Sequence, residues 1–445
     1  MSRMWVYTLG TFVLWVVNPE LRRVFEWRFG YGGVDVFPLF PFLAVLPHVF
    51  SLTYGGGWQR LPRPLMFSTW VWLGAFCYAF VLAIVNGNAT PGAYSLCNFV
   101  LPLGLGLWIA ADPASAPDAV SRVTRVAFLL TSVISVYGIV QYVVAPEWDR
   151  LWLEHVIAGG ALSFGRPEPF QIRVFSMLAS PGPFGGFLAV MLLFALPHLS
   201  VRRLWLLAQM PIWLVAFGLS QDRSGWLLFG LGACVYLLLS PRRGAMLFAG
   251  GICAALMTGL VVLLPAMVGN DGVFQTLSDR FSTLSDPDSD RSANDRLNLY
   301  GATVSQIVDA PFGYGLGVVG TATKLSDSSA TTDVDSGFLC RLLEMGVPGF
   351  AMFVGALGVL MATLLKMRYG AGRVADVALQ MQSSMAISVL VALFGSELSG
   401  DVSGLLMLAL WLVCGVTLRA YLPMQRAVTD ERAFSRCAWS QVSVS

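Results

Sequence analysis

The chain has 445 residues, 56% hydrophobic and only 12% charged, with mean hydropathy +0.68 and formal net charge +2. A soluble domain of this length would expose far more charge, and its repeated apolar runs, roughly 17–25 residues long, suit helices that cross a bilayer. The runs lack the strict alternation of barrel strands, so their backbone groups must be satisfied inside helices.

Taken in chain order, the apolar stretches near 4–17, 34–53, 65–85, 95–111, 121–143, 182–200, 203–220, 223–239, 244–267, 347–366, 379–396 and 402–420 are the predicted spans. The fold class is therefore an all-α polytopic membrane protein, with about 12 transmembrane helices and one large periplasmic loop containing short helices. The first run is short enough to mimic a signal-peptide core. It leads into Asn18-Pro19-Glu20-Leu21-Arg22-Arg23 with no small-residue cleavage site, which predicts a retained helix. The expected organisation is residues 1–267 as helices one to nine with an outer loop at 144–181, a large loop at 268–346, three further helices over 347–420, and a tail at 421–445.

The segment 268–346 holds eleven acidic and five basic residues, a concentration of charge that the rest of the chain lacks. A cytoplasmic N-terminus places Arg60, Arg63, Arg122, Arg125, Arg202, Arg203, Arg242, Arg243, Lys366, Arg368 and Arg373 on the inner face. That division satisfies the positive-inside tendency, with both termini cytoplasmic and 268–346 outside. Arg22, Arg23 and Arg28 are an exception on the outer face. A net acidic working loop argues against nucleic acid as a partner. Most of the seven cysteines fall inside apolar runs, and no CxxC metal site or disulfide framework is expected.

In the outer loop 144–181, Trp148, Leu151, Trp152 and His155 have the spacing of a helix lying in the membrane interface. In the large loop, Ser292-Ala293-Asn294-Asp295 resembles a capping box, and Leu297, Tyr300, Val304 and Ile307 repeat at helical spacing up to Pro311. Gly313-Tyr314-Gly315-Leu316-Gly317 reads as a flexible turn. A second short helix is expected from about Ser336 to Glu344, ending at Gly346 and Pro348.

Arginines carry the candidate chemistry. Arg173 sits just before the sixth span and Arg223 at the start of the eighth. A guanidinium beside a helix N-terminus combines forked donors with free backbone N–H groups, a cradle for phosphate oxygens; interfacial anchoring is the blander alternative. Asp335 and Glu344 are candidate carboxylates, Asp335 as general base, against simple roles as helix cap and as partner of Arg341. Asp286-Pro287-Asp288-Ser289-Asp290 has the beat of a calcium loop but lacks its Gly and its Glu, so no metal is expected. No Walker loop and no Ser-His-Asp pattern is present, and the spans carry few ionisable residues, which disfavours a transporter.

Several of these segments together resemble the O-antigen ligases and Wzy-type polysaccharide polymerases. Ser220-Gln221-Asp222-Arg223-Ser224-Gly225-Trp226 is similar to the family's S-R-G start of a span. Arg296-Leu297-Asn298-Leu299-Tyr300 through Asp309-Ala310-Pro311-Phe312-Gly313-Tyr314-Gly315-Leu316-Gly317 resembles its arginine and glycine-rich loop. Asp335-Ser336-Gly337-Phe338-Leu339 with Glu344-Met345-Gly346, and Arg173-Val174-Phe175 up to Ser180-Pro181, match two further elements. The resemblance runs from about 170 to 366.

It implies a metal-independent, cofactor-free glycosyltransferase of the bacterial inner membrane, using an undecaprenyl-pyrophosphate-linked oligosaccharide as donor and a hydroxyl of an acceptor glycan as nucleophile. Arg173 and Arg223 would bind the pyrophosphate, Arg296 would complete that site, and Asp335, Arg296 and Glu344 would form the catalytic group. A chain-length regulator and a flippase are the protein partners it suggests. Ligases acting on lipid A–core usually have His where this chain has Asp335, so the resemblance favours a polymerase that joins repeat units. The R-x10-G pattern common in such polymerases has only Arg291 with Gly301, one residue short.

Overall fold

The computed structural model describes residues 3–30, 36–112, 117–158, 164–199, 204–241, 291–325, 336–396 and 404–421. Within them the regular structure is helical, apart from one antiparallel bridge between Gly165 and Ile172. The helices are α1 (Arg3–Phe29), α2 (Leu39–Tyr54), α3 (Arg63–Val85), α4 (Ala89–Ala111), α5 (Pro117–Val144), α6 (Glu147–Ala158), α7 (Pro181–Ala195), α8 (Leu204–Leu219), α9 (Arg223–Leu239), α10 (Arg291–Asp309), α11 (Gly337–Arg373), α12 (Val377–Ser396) and α13 (Gly404–Tyr421). Among the described residues seven helices are long and apolar enough to cross a membrane, and α2, α8 and α9 are shorter apolar helices. The protein is an all-α polytopic membrane protein. Each predicted span coincides with a helix except 244–267, which lies outside the described residues.

Three local expectations change. The first span does not stop at residue 17: α1 continues past Pro19 to Phe29 and carries Glu20, Arg22 and Arg23 along its second half. On α6 the protein-facing line is Asp149 and Leu153, both buried, with Trp152 packed against Phe164 and Phe175. The expected interfacial stripe is thus partly a packing face. On α10 the buried pair is Thr303 and Ile307, while Val304 is exposed, and the helix begins one residue before the proposed capping box.

α3 and α11 run antiparallel. The Ser68 hydroxyl donates to the Ala356 carbonyl, and Gly349 packs on Tyr78. The start of α11 therefore meets the end of α3. Phe338 at that start contacts Phe394 near the end of α12 at a ring separation of 5.6 Å. At the opposite end, Arg368 and Ser384 both donate to the Leu239 carbonyl, so α9 finishes beside the far end of α11. The first residues of α9, α11, α4 and α7 consequently share one end of the bundle with 311–317. The other end is tied by Arg419, which donates to the carbonyls of Ile109 and Asp112, and by Trp5 Nε1 donating to Asp112 Oδ2 at 2.6 Å.

Two of the three arginines that run against the expected charge rule, Arg22 and Arg23, have separate partners. Arg22 pairs with Glu26 one turn on, at 2.8 Å. Arg23 is only 1% exposed: its Nε lies 3.0 Å from Glu20 Oε2 and 2.9 Å from Asp149 Oδ1, and its Nη2 also donates to Glu20. Tyr137 of α5 is within 2.6 Å of Glu20 Oε1 and 2.7 Å of Asp149 Oδ2. Gln141 Nε2 donates to Asp149 Oδ2 at 2.8 Å, and Trp148 Nε1 to Glu20 Oε1 at 2.7 Å. One cation thus faces two carboxylates, which are kept in place by neutral donors.

Burial pushes the Asp149 carboxyl up to about 6; the Arg23 charge pulls the other way and Glu20 adds to the rise. Between the ordinary value of 3.8 and about 6, the folded chain holds this proton after an unfolded chain would have released it. The resulting stabilisation is complete below that window and is lost as pH rises through it. Relative to Asp149→Asn, whose amide does not titrate, the protein is expected to lose stability as pH rises from about 4 to about 7. Denaturation midpoints of the two purified proteins at both pH values measure this; a gap independent of pH would contradict it.

Candidate functional site

The mouth between α7 and α9 is built by a short polar turn. Asp222 caps α9: its carboxylate accepts from the Gly225 backbone N–H at 3.0 Å and from the Ser224 hydroxyl at 2.6 Å. α7 crosses at this point because Gly185 carries no side chain. A Cβ there would lie 2.5 Å from Asp222 Oδ2, and one at Gly225 would lie 3.0 Å from the Gly185 carbonyl carbon. Burial pushes the Asp222 carboxyl above its ordinary range, against its two hydrogen bonds and the nearby Arg173 charge.

Arg173 reaches the mouth from a tight hairpin. Its backbone N–H bonds the Phe164 carbonyl at 2.9 Å beside the Gly165–Ile172 bridge, and Val174 N–H bonds the Leu219 carbonyl at 3.2 Å. The Arg173 Nη2 donates to the Gln221 carbonyl at 3.1 Å, two residues before Arg223. Arg223 is the first residue of α9, and both arginines are partly exposed. The structure therefore brings the Arg173 and Arg223 segments to one place at two helix N-termini, an arrangement whose positive dipole ends and forked donors suit an anion. Ser176 and Gln221, on the same two segments, hold φ of 52° and 50°, left-handed values uncommon outside glycine.

The second part of the site is the stretch 311–317, which is no free turn. Tyr314 and Gly315 N–H groups bond the carbonyls of Leu343 and Glu344, Leu316 N–H bonds Ala79, and Val347 N–H bonds Pro311. Tyr78 and Asn86 donate to the carbonyls of Phe312 and Tyr314. Gly313, Gly315, Gly317 and Gly346 all have positive φ. A Cβ at Gly315 would fall 2.4 Å from Ala83 N, and one at Gly317 2.4 Å from the Pro91 carbonyl carbon. The glycines serve close backbone approach, not mobility.

Glu344 is 1% exposed; its Oε1 accepts the Gly317 N–H at 2.8 Å and its Oε2 pairs with Arg341. Arg341 is equally buried, its guanidinium 4.4 Å from the centre of the Phe99 ring. The pairing with Arg341 anticipated from spacing is present, and the same carboxylate also fastens the glycine loop. Arg296 lies in α10. Asp335 and the Asp286–Asp290 run lie outside the described residues, while the N-cap position of α11 belongs to Ser336. Among the described residues, no group of three or more His, Cys, Asp or Glu gathers as a metal site would need.

Sequence reasoning missed the Glu20–Arg23–Asp149 cluster. Its only signals were three arginines that run against the expected charge division and an aspartate inside a helix expected to be interfacial.

A polytopic helical scaffold that gathers two arginine-bearing segments and a docked glycine loop at one end of the bundle defines a membrane protein with a candidate polar site there. Residues 204–354 match the family model described as O-antigen ligase. The matched stretch runs from α8 into the first half of α11, includes Arg223, Arg296, Asp335 and Glu344, and leaves Arg173 outside. No curated protein matches the chain.

Gly315→Ala is expected to destabilise the protein by on the order of 1–3 kcal/mol, because it combines a strained φ with an unavoidable backbone clash. Gly301→Ala, at a helical position with open space around it, is the control and should be neutral or slightly stabilising. Thermal unfolding in detergent compares the two; equal midpoints would show that the loop is not held against Ala83.

Proposed function

We propose that this protein is a Wzy-like polysaccharide polymerase of the bacterial inner membrane. It transfers glycan repeat units at the periplasmic face, from an undecaprenyl-pyrophosphate donor to a hydroxyl of an acceptor glycan. One observation carries the reading: the Arg173 guanidinium bonds the turn that leads into Arg223, the first residue of α9, beside the N-terminal turns of α7 and α9. The O-antigen ligase family match supports glycan transfer of the ligase or polymerase type.

In this reading Arg173 and Arg223 hold the pyrophosphate, with Arg296 added from α10. Asp335 takes the proton from the acceptor hydroxyl as its oxygen attacks the anomeric carbon. The bond from that carbon to the phosphate oxygen breaks, and the electron pair leaves with the lipid pyrophosphate, whose growing charge the arginines neutralise. Such neutralisation acts mainly on the transition state and is worth more in a water-poor mouth than in bulk solvent. Glu344 keeps the glycine loop in place through Gly317. The reaction calls for no metal or cofactor. Both termini are cytoplasmic, and chain-length regulator and flippase proteins would act beside it.

The matched model's description favours a second reading, a ligase that moves lipid-linked glycan to lipid A–core or protein. Asp335 in the place where the ligases usually have His is what favours the polymerase. The two leave different products in cells lacking the protein: single repeats on the carrier lipid for a polymerase, long unattached chains for a ligase.

Arg173→Ala or Arg223→Ala is expected to lower polymer formation by about 100-fold or more at unchanged protein level, the scale seen when a charge-stabilising donor is removed. Purified protein incubated with a defined lipid-linked repeat, with products resolved on a gel, provides the test. Polymer of normal length and amount from both variants would overturn the assignment.

A further inference from the structure

The hairpin that presents Arg173 continues into 174–180, and besides its bonds to Leu219 and Gln221 it is held by side chains outside the matched stretch. Arg23 Nη1 donates to the Leu178 carbonyl at 2.6 Å and Nη2 to the Ser176 carbonyl at 2.5 Å. Its guanidinium sits over the Phe175 ring, 4.8 Å from the centre. Gln141 Oε1 accepts the backbone N–H groups of Phe175 and Ser176 at 3.1 and 2.8 Å, and the Ser176 hydroxyl donates to the Ile134 carbonyl. Consecutive backbone groups starting two residues after Arg173 are therefore held by two side chains, Arg23 and Gln141. Both are in turn held by Asp149.

The fork geometry matters here. One planar guanidinium serves two carboxylates and two carbonyls at once, which a lysine ammonium on its flexible stem cannot reproduce. The same arrangement keeps Ser176 in its left-handed conformation, a shape that persists only where the surroundings over-determine it. From Ser176 the chain reaches Val174, bonded to Leu219, and Arg173, bonded to Gln221.

We propose that Arg23, held by Glu20 and Asp149, is a positioning residue that sets the Arg173 guanidinium against the α9 mouth. It touches no substrate and acts through the 174–178 backbone. The functional consequence rests on the reading of Arg173 as a pyrophosphate ligand. The mechanical part does not.

Arg23→Lys keeps the charge and removes the fork, and hydrogen–deuterium exchange on the full-length purified protein tests the mechanical part. Faster exchange confined to about 164–180 and 219–223 is expected, with α2 and α13 unchanged; loosening spread through the bundle, or no change at all, would overturn the proposal. Turnover of the lipid-linked repeat tests the consequence. Arg23→Lys is expected to lower kcat on the order of 10–100-fold with a smaller change in KM. Adding Arg173→Ala to it should cost little beyond Arg173→Ala alone, since both changes disable one device. Independent, multiplying losses would overturn the proposal. If the unaltered protein transfers no lipid-linked glycan, the assigned function falls, and the exchange result still decides whether Arg23 positions residue 173.

Discussion

A single guanidinium, shared between two buried carboxylates, decides how the 164–180 hairpin meets the bundle. Arg23 of α1, Glu20 one turn earlier and Asp149 of α6 join segments more than a hundred residues apart in the chain. Burying such a group is costly, and the attraction repays the cost only when the remaining donors and acceptors are satisfied. Here the neutral side chains of Tyr137, Gln141 and Trp148 complete the carboxylates, and backbone carbonyls complete the guanidinium. What the cluster contributes is geometry more than net stability: it fixes one conformation of the hairpin.

The glycine loop is held by a different device with the same outcome. Backbone pairs with Leu343, Glu344 and Ala79 place it in a groove between α3, α4 and α11, and the absence of side chains lets it lie there. Glu344 and Arg341 close the arrangement from beneath. The two halves of the candidate site are thus each fastened to rigid helices, as a site that holds charged groups in fixed relation would require.

Much of the fold was legible because bilayer thickness sets the length of an apolar run, and a helix stands at each described position where hydropathy placed a span, although α1 runs on to Phe29. The position of Arg223 at the start of α9 was also legible, since hydropathy marks where a helix emerges, whereas Arg173 reaches the same place from a hairpin eight residues before α7. Less legible were the contacts that cross the chain. Asp149 sat within a pattern that also fits an interfacial helix, and nothing local distinguishes a carboxylate facing water from one facing Arg23. The glycine-rich stretch could equally denote slack or close approach, because both demand a missing Cβ. On α10 periodicity alone offered Val304 as well as Ile307, and only the packing partners Val319, Cys340 and Leu343 select the second.

Ser176 and Gln221 are non-glycine residues in a conformation that glycine adopts at no steric cost. Glycine at residue 221 would relieve the local strain, whereas at residue 176 it would also remove the buried hydroxyl that bonds the Ile134 carbonyl. An engineer seeking a sturdier scaffold would start at Gln221 and would trade rigidity of aim for ease of folding.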